Sequence, residues 1–169
     1  PGCKLRKTVM GVPDAAALDD IAAELSRDRE VKRRPNGSIE SVDDSGFALG
    51  FQISQKRAFT LSGEIANAPG GVVFRPVNHL GSIAPDAPIR PRSLSHVVYF
   101  VPDVLKAEAF YVNRLGFRCT DRFNQAGPFL QPGACLDHHT HFLIGAPPFM
   151  HGVEHFTFHF GGPTEMITN

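Results

Sequence analysis

The chain has 169 residues, enough for one ordinary domain or two small modules with real cores. Hydrophobic residues make up 42% and charged residues 20%, a globular composition rather than a disordered one. The 17 basic side chains balance 17 acidic ones, and no long basic run stands out apart from Lys32-Arg33-Arg34 beside a turn, so there is no electrostatic case for nucleic acid.

No apolar run approaches the ~20 residues of a membrane span, so no membrane association is expected. The opening Pro1-Gly2-Cys3-Lys4 has no signal-peptide h-region and no initiator methionine. The sequence is therefore expected to begin after processing or inside a longer protein. Cys3, Cys119 and Cys135 are an odd count with no CxxC pair. That argues against a disulfide framework or a cysteine zinc site and suits a reducing cytoplasm.

Thr8 to Val12 reads as an apolar strand that runs through Pro13-Asp14 into a helix over 15–25. Leu18, Ile21, Ala22 and Leu25 fall on one helical face, and Asp14 is a good N-cap. Short strands follow over 30–34 and 38–42, joined by the hairpin signal Pro35-Asn36-Gly37. After the turn Asp43-Asp44-Ser45-Gly46, Phe47, Leu49, Phe51 and Ile53 alternate as in a half-buried strand. Residues 58–93 are rich in Pro and Gly and read as a linker, with one short strand expected at 72–74.

The pattern then repeats. Val97 to Val101 leads through Pro102-Asp103 into a helix over 104–115, with Val104, Ala107, Phe110, Tyr111 and Leu115 on one face. Asp103 is again the N-cap candidate, and Gly116 stands where a left-handed residue ends a helix. Strands are expected over 117–123, 129–136 and 139–144, making a second β-α-β-β-β run. A third copy opens at 153–160 and is cut short at Asn169. A lone first strand cannot close its own sheet, so the expectation is truncation, the alternative being strands from another chain. The organisation expected is 1–57, a module without metal ligand; 58–93, the linker; 94–147, a module with the first metal ligand; and 148–169, the start of a further one.

Histidine carries the chemical signal, since six of the eight fall between His138 and His159. His96 opens the first strand of the second copy and His155 that of the third, so pseudo-symmetry could bring them to one site. Two imidazoles with a carboxylate form a facial triad that leaves coordination positions open. Taken alone, His96 is more often a satisfied strand histidine, and the matching place of His155 is what favours a metal. Lys7, at the equivalent place of the first copy, cannot ligate while protonated. In Asp137-His138-His139-Thr140-His141, strand alternation would put His139 and His141 on one face. The cluster reads as a solvated strand end, as a zinc-type H-x-H pair, or as a general acid/base beside a metal. His159 is read as a core or supporting residue and His151 as a solvated turn residue. His79 is taken as a linker residue, Cys119 and Cys135 as packed small side chains.

Three segments in order resemble the type I extradiol dioxygenases of the vicinal-oxygen-chelate superfamily. Leu94 to Asp103 resembles the ligand strand of their catalytic domain. Asp137-His138-His139-Thr140 resembles the segment carrying their catalytic histidine, and Glu154-His155-Phe156 the strand with their second iron ligand. The resemblance covers about residues 94–160, with one apparent insertion between His139 and His155. It implies an α+β fold of paired β-α-β-β-β modules, the glyoxalase/bleomycin-resistance/extradiol dioxygenase fold. It further implies His96 and His155 as metal ligands, His139 as acid/base and His138 as a supporting catalytic residue. The implied cofactor is Fe(II), alternatively Mn(II), with O2 as co-substrate, a small aromatic diol as substrate and a homo-oligomer as assembly. The family's third ligand, a glutamate, would lie beyond Asn169, and Glu154 replaces the usual first histidine of its strand. Two other readings stay open: a glyoxalase-like isomerase or lyase using Zn or Ni, and a metal-free binding module.

Overall fold

The computed structural model describes residues 4–58, 60, 70–73, 77–78 and 89–168. These fall into two compact units, Pro1–Lys56 with His96–Phe156, and Arg57–Ser95 with Thr157–Asn169. No described helix is long and apolar enough to cross a membrane.

The first run folds as expected in order. Strand β1 (Thr8–Val12) leads to helix α1 (Ala15–Leu25), then to strands β2 (Lys32–Arg33), β3 (Ile39–Val42) and β4 (Ala48–Ile53). Asp14 caps α1 by accepting from the Ala17 amide at 2.9 Å, and Leu18, Ala22 and Leu25 form its buried stripe. The four strands make a sheet in the order β1-β4-β3-β2, with β1 parallel to β4. The turn before β4 is held by the Asp43 carboxylate, which accepts from Ser45 and Phe47 amides at 2.9 and 2.8 Å. Leu49 and Phe51 are buried, but Ile53 is exposed, so the alternation ends one step earlier than the sequence pattern implies.

The second run repeats this plan: β5 (Ser93–Val101), α2 (Val104–Ala109), β6 (Arg118–Phe123), β7 (Gly127–Gln131) and β8 (His141–Gly145). Asp103 caps α2 by accepting from the Lys106 amide at 3.0 Å. The helix continues into a π-helical turn at Phe110–Arg114. One extra residue in that turn places two successive aromatics, Phe110 and Tyr111, in the core. Gly116 then takes φ +69°, and the Phe117 amide closes back on the Tyr111 carbonyl at 3.0 Å.

A five-stranded sheet has the order β6-β7-β8-β5-β9, where β9 is Gly152–His159, and β5 is parallel to β8. The strand that opens the third copy therefore finds its neighbour in β5. Strand β7 begins and ends earlier than the expected 129–136. The Gln131 side-chain amide donates to the Cys135 and Asp137 carbonyls, which turns residues 132–140 into a loop. His139 lies in that loop, so β8 starts at His141 rather than 139.

The core of the first unit joins both runs. Leu18, Leu25, Leu49 and Phe51 share one cluster with Tyr99, Phe110, Tyr111 and Leu143. Tyr111 donates to the Asp43 carboxylate at 3.0 Å inside it, and Tyr99 and Thr8 bond through their hydroxyls. Burial raises the pKa of Asp43 despite its donors, lifts Tyr99 to about 12, and lifts Tyr111 well above its usual value. The Arg114 guanidinium spans back to Glu24 at 3.0 Å and Asp28 at 2.8 Å.

In the second unit, Arg92 pairs with the buried Glu165 of α3 (Pro163–Thr168), whose carboxylate also accepts from the Gly161 amide at 2.9 Å. His159 Nδ1 lies 2.9 Å from Ser93 Oγ. Of the expected linker strand, Val72 and Val73 are exposed and irregular, while Phe74, like His79, lies outside the described residues.

Candidate functional site

His96 and His155 sit on the neighbouring strands β5 and β9, the fourth residue of each. Their Nε2 atoms are 3.2 Å apart. The His155 ring has the Glu154 carboxylate against its Nδ1, so its Nε2 side is the one turned toward His96. A carboxylate on one imidazole nitrogen fixes the tautomer and leaves the other nitrogen's lone pair for a metal or a proton.

His139 joins them from the loop. Its neighbour Thr140 is pinned on both sides: its amide donates to the Leu130 carbonyl at 3.0 Å and its carbonyl accepts from Val97 at 3.0 Å. The His138 carbonyl accepts from Thr120 Oγ1 at 2.8 Å. Held this way, the His139 ring lies 4.6 Å from that of His96 and 4.7 Å from Phe129. His138 Nδ1 is 3.1 Å from His139 Nδ1. Partial burial lowers the His139 pKa first, and the nearby His96 and His138 lower it further, against an opposing pull from Asp137. The shift favours the neutral ring of His139, which keeps a nitrogen able to take a proton.

The structure separates His141 from this group, against the expectation of one strand face. Only His141 is on the strand, and its ring is buried among Tyr99, Tyr111 and Phe117 at 6.0, 5.3 and 5.2 Å. Its Nδ1 meets Thr140 Oγ1 at 2.9 Å, while Nε2 has no hydrogen-bond partner among the described residues. Burial pushes its pKa down to about 4. An H-x-H pair of His139 with His141 is therefore not formed.

His151 is exposed, as the turn reading expects, and its ring also stacks on Phe47 at 4.3 Å and 17°. Cys119 is exposed rather than packed. Two supporting contacts escaped the sequence reading. Phe129 of β7 packs its ring against His139 of the loop, a contact that strand alternation does not signal. Glu154 touches the side chain next to it in sequence, a contact that strand alternation argues against. Among the described residues, no group of three or more His, Cys, Asp or Glu side chains is arranged to hold a metal ion.

Residues 93–165, which include His96, His138, His139 and His155, match the Glyoxalase/Bleomycin resistance protein/Dioxygenase superfamily. The chain carries a domain of that superfamily. Its fold agrees with solved structures of the same architecture. Homoprotocatechuate 2,3-dioxygenase from Arthrobacter globiformis aligns over 99% of this chain and 49% of its own, at 18% identity and TM-score 0.65. The 2,2',3-trihydroxybiphenyl 1,2-dioxygenase of Sphingomonas wittichii strain RW1 aligns over 96% and 55%, at 18% identity and TM-score 0.63. An Mn(II)-bound glyoxalase from Novosphingobium aromaticivorans aligns over 92% and 46%, at 15% identity and TM-score 0.59. The chain spans about half the length of these structures. No curated protein matches its sequence. At such identities the likeness is one of fold, the α+β arrangement of β-α-β-β-β runs expected from the repeat.

Proposed function

We propose that the chain is part of an Fe(II)-dependent extradiol dioxygenase that opens a catechol-type aromatic diol with O2. The observation that carries this reading is the pair of imidazole nitrogens 3.2 Å apart on β5 and β9. Two nitrogens each about 2.1 Å from a shared divalent ion stand roughly 3.0–3.4 Å apart at octahedral to tetrahedral angles. His96 and His155 therefore fit two cis ligands of Fe(II), or alternatively Mn(II). A facial triad adds one carboxylate, and Glu154 is engaged on the far side of the His155 ring.

When bound, the metal would supply Lewis acidity and open positions for a chelating diol and O2. The chain's own part is to orient and to move protons. His139, its pKa lowered toward the neutral ring, is the base that takes a proton from the diol hydroxyl and later returns it. His138, at hydrogen-bond distance from His139, supports it. In this reading residues 1–57 are a module without ligands. Residues 94–147 supply His96 and His139, and 148–169 bring His155 at the start of a further module. A small aromatic diol, a homo-oligomer and a reducing cytoplasm complete it.

The test is anaerobic Fe(II) titration of the chain with His96→Ala and His155→Ala, followed by oxygen uptake with catechols. Binding is expected in the parent and lost in both variants, while His139→Ala keeps the metal and loses turnover. Equal binding in all variants would sink the site. The likeness to an Mn(II)-bound glyoxalase favours one other reading, a metal-dependent isomerase or lyase. Metal binding through His96 and His155 without any diol-dependent oxygen consumption would favour it.

A further inference from the structure

A cleft of about 980 Å³ opens in the first unit, and none of its lining residues belongs to the histidine cluster. That volume is in the range of small-molecule sites. Its apolar part is aromatic. Phe47 and His151 form the stacked pair at 4.3 Å, Phe100 of β5 lies beside them, and Phe149 from the short turn Pro148–Met150 stands 87% exposed. A large aromatic side chain left open beside a stacked pair leaves ring surface available for another ring.

The charges of the lining are one-sided. Lys4 and Arg6 contribute to the wall, and among the described residues no Asp or Glu does. Neither makes an ion pair with any other described residue. The contrast with the next basic residue is sharp, since Lys7 is matched by Glu40, which also takes Arg34. An aromatic slot edged by two uncompensated cations selects a flat ring that carries an anion. The ring can stack on an open aromatic face such as that of Phe149 while the guanidinium fork of Arg6 takes a carboxylate through two N–H donors.

We propose that this cleft is a binding site for a planar aromatic carboxylate, separate from the histidine cluster. Charge complementarity decides against a neutral arene, and the concave aromatic lining decides against a simple inorganic anion. The site needs no metal, so it stands apart from the ring-cleavage reading.

The experiment uses 2-naphthoate as probe and 2-naphthalenemethanol as its neutral counterpart. The chain has no tryptophan, so naphthalene fluorescence can be followed directly on binding. The variants are the double substitution Lys4→Gln/Arg6→Gln, Phe149→Ala and His96→Ala. All but His96 alter exposed side chains, so unchanged melting curves are expected to accompany them. Loss of a charge-assisted contact is expected to weaken naphthoate about tenfold in the double variant and leave the neutral probe unchanged. Phe149→Ala is expected to weaken both probes, and His96→Ala neither. Four results would overturn the proposal: no naphthoate binding by the parent, equal affinity for both probes, loss of binding in His96→Ala, or a homodimer that Phe149→Ala dissociates and naphthoate leaves intact.

Discussion

Thr8 pairs with Leu49 in the first run and Val97 pairs with His141 in the second, so Leu49 and His141 hold the same place in two copies of one arrangement. Across the next strand the polarity reverses: Ser41 faces Leu49, whereas Leu130 faces His141. Each pair thus buries one apolar and one polar side chain, on opposite strands. Ser41 satisfies its hydroxyl on the Glu30 carbonyl at 2.9 Å, but Nε2 of His141 has no partner among the described residues. One residue before each pair stand Lys7, locked to Glu40, and His96, facing His155 and His139. The two runs share a backbone, and what separates a plain module from a candidate site is the neighbour strand β9 and a loop that carries His139.

The largest effect should come from a position where the copies differ in backbone need. Gly127 starts β7 at φ +156°, and a Cβ there would lie 1.9 Å from the Leu143 carbonyl oxygen. Its counterpart by register is Ser38, which carries a side chain without difficulty. Gly127→Ala should cost about 3 kcal/mol or more in urea unfolding, because the collision is with backbone. Ser38→Ala should stay within about 0.5 kcal/mol. Similar values for the two would break the equivalence of the runs.

Next is His141→Leu, which gives the second run the residue of the first. The pKa of His141 falls from 6.5 to about 4 on folding. Above pH 6.5 both states are neutral and nothing changes. Between 6.5 and 4 the unfolded chain takes up a proton that the folded chain refuses, so stability falls by on the order of 3 kcal/mol and then levels off. The leucine variant should lose this acid sensitivity and gain about 1–2 kcal/mol at pH 7 by removing an unsatisfied buried nitrogen. Asp43 acts with the opposite sign, since burial raises its pKa and acid there favours the fold. It is present in both proteins, so the difference between their pH profiles isolates the histidine. A parallel profile in parent and variant would refute the burial of His141.

Tyr111→Phe tests the joint between the runs. It removes one donor from the buried Asp43 and leaves the Ser45 and Phe47 amides in place. A loss of about 2 kcal/mol is expected, as for a hydrogen bond to a charged or partly charged acceptor. No change in the urea midpoint would mean that the Tyr111–Asp43 bond adds nothing, and that the joint rests on apolar packing, the Thr8–Tyr99 bond and the Arg114 ion pairs.

Much of this was legible because it is local. Val-Pro-Asp before each helix, the apolar spacing along it and Gly116 after it are short-range signals, and the structure uses them in that sense. The matching places of His96 and His155 could be read because a repeat converts sequence position into strand position. The loop at 132–140 was not legible, since it depends on the Gln131 side chain reaching two carbonyls ahead of it. His139 therefore leaves the strand that its neighbours imply. Nor was the π-helical turn legible, because one added residue is favoured by burying Phe110 and Tyr111 against partners from the other run. The His151 stack on Phe47 likewise joins residues that no periodicity connects.

The smallest effect sharpens the comparison most. Lys7→His places an imidazole at the first run's equivalent of His96. Lys7 and Arg34 hold the Glu40 carboxyl down at about 2, Arg34 being the stronger influence, so Arg34 keeps the anion paired when Lys7 is gone. The pair is exposed, and the thermal midpoint should barely move. In a His96→Ala background, titration with Zn(II) or Fe(II) should reveal no new binding. Among the described residues strand β1 ends its sheet with β4 alone beside it, so none of them brings a second imidazole from an adjoining strand. If the variant binds metal, the strand position suffices and β9 is not what distinguishes the runs. If it does not, the second strand is the requirement, and His155 is its contribution.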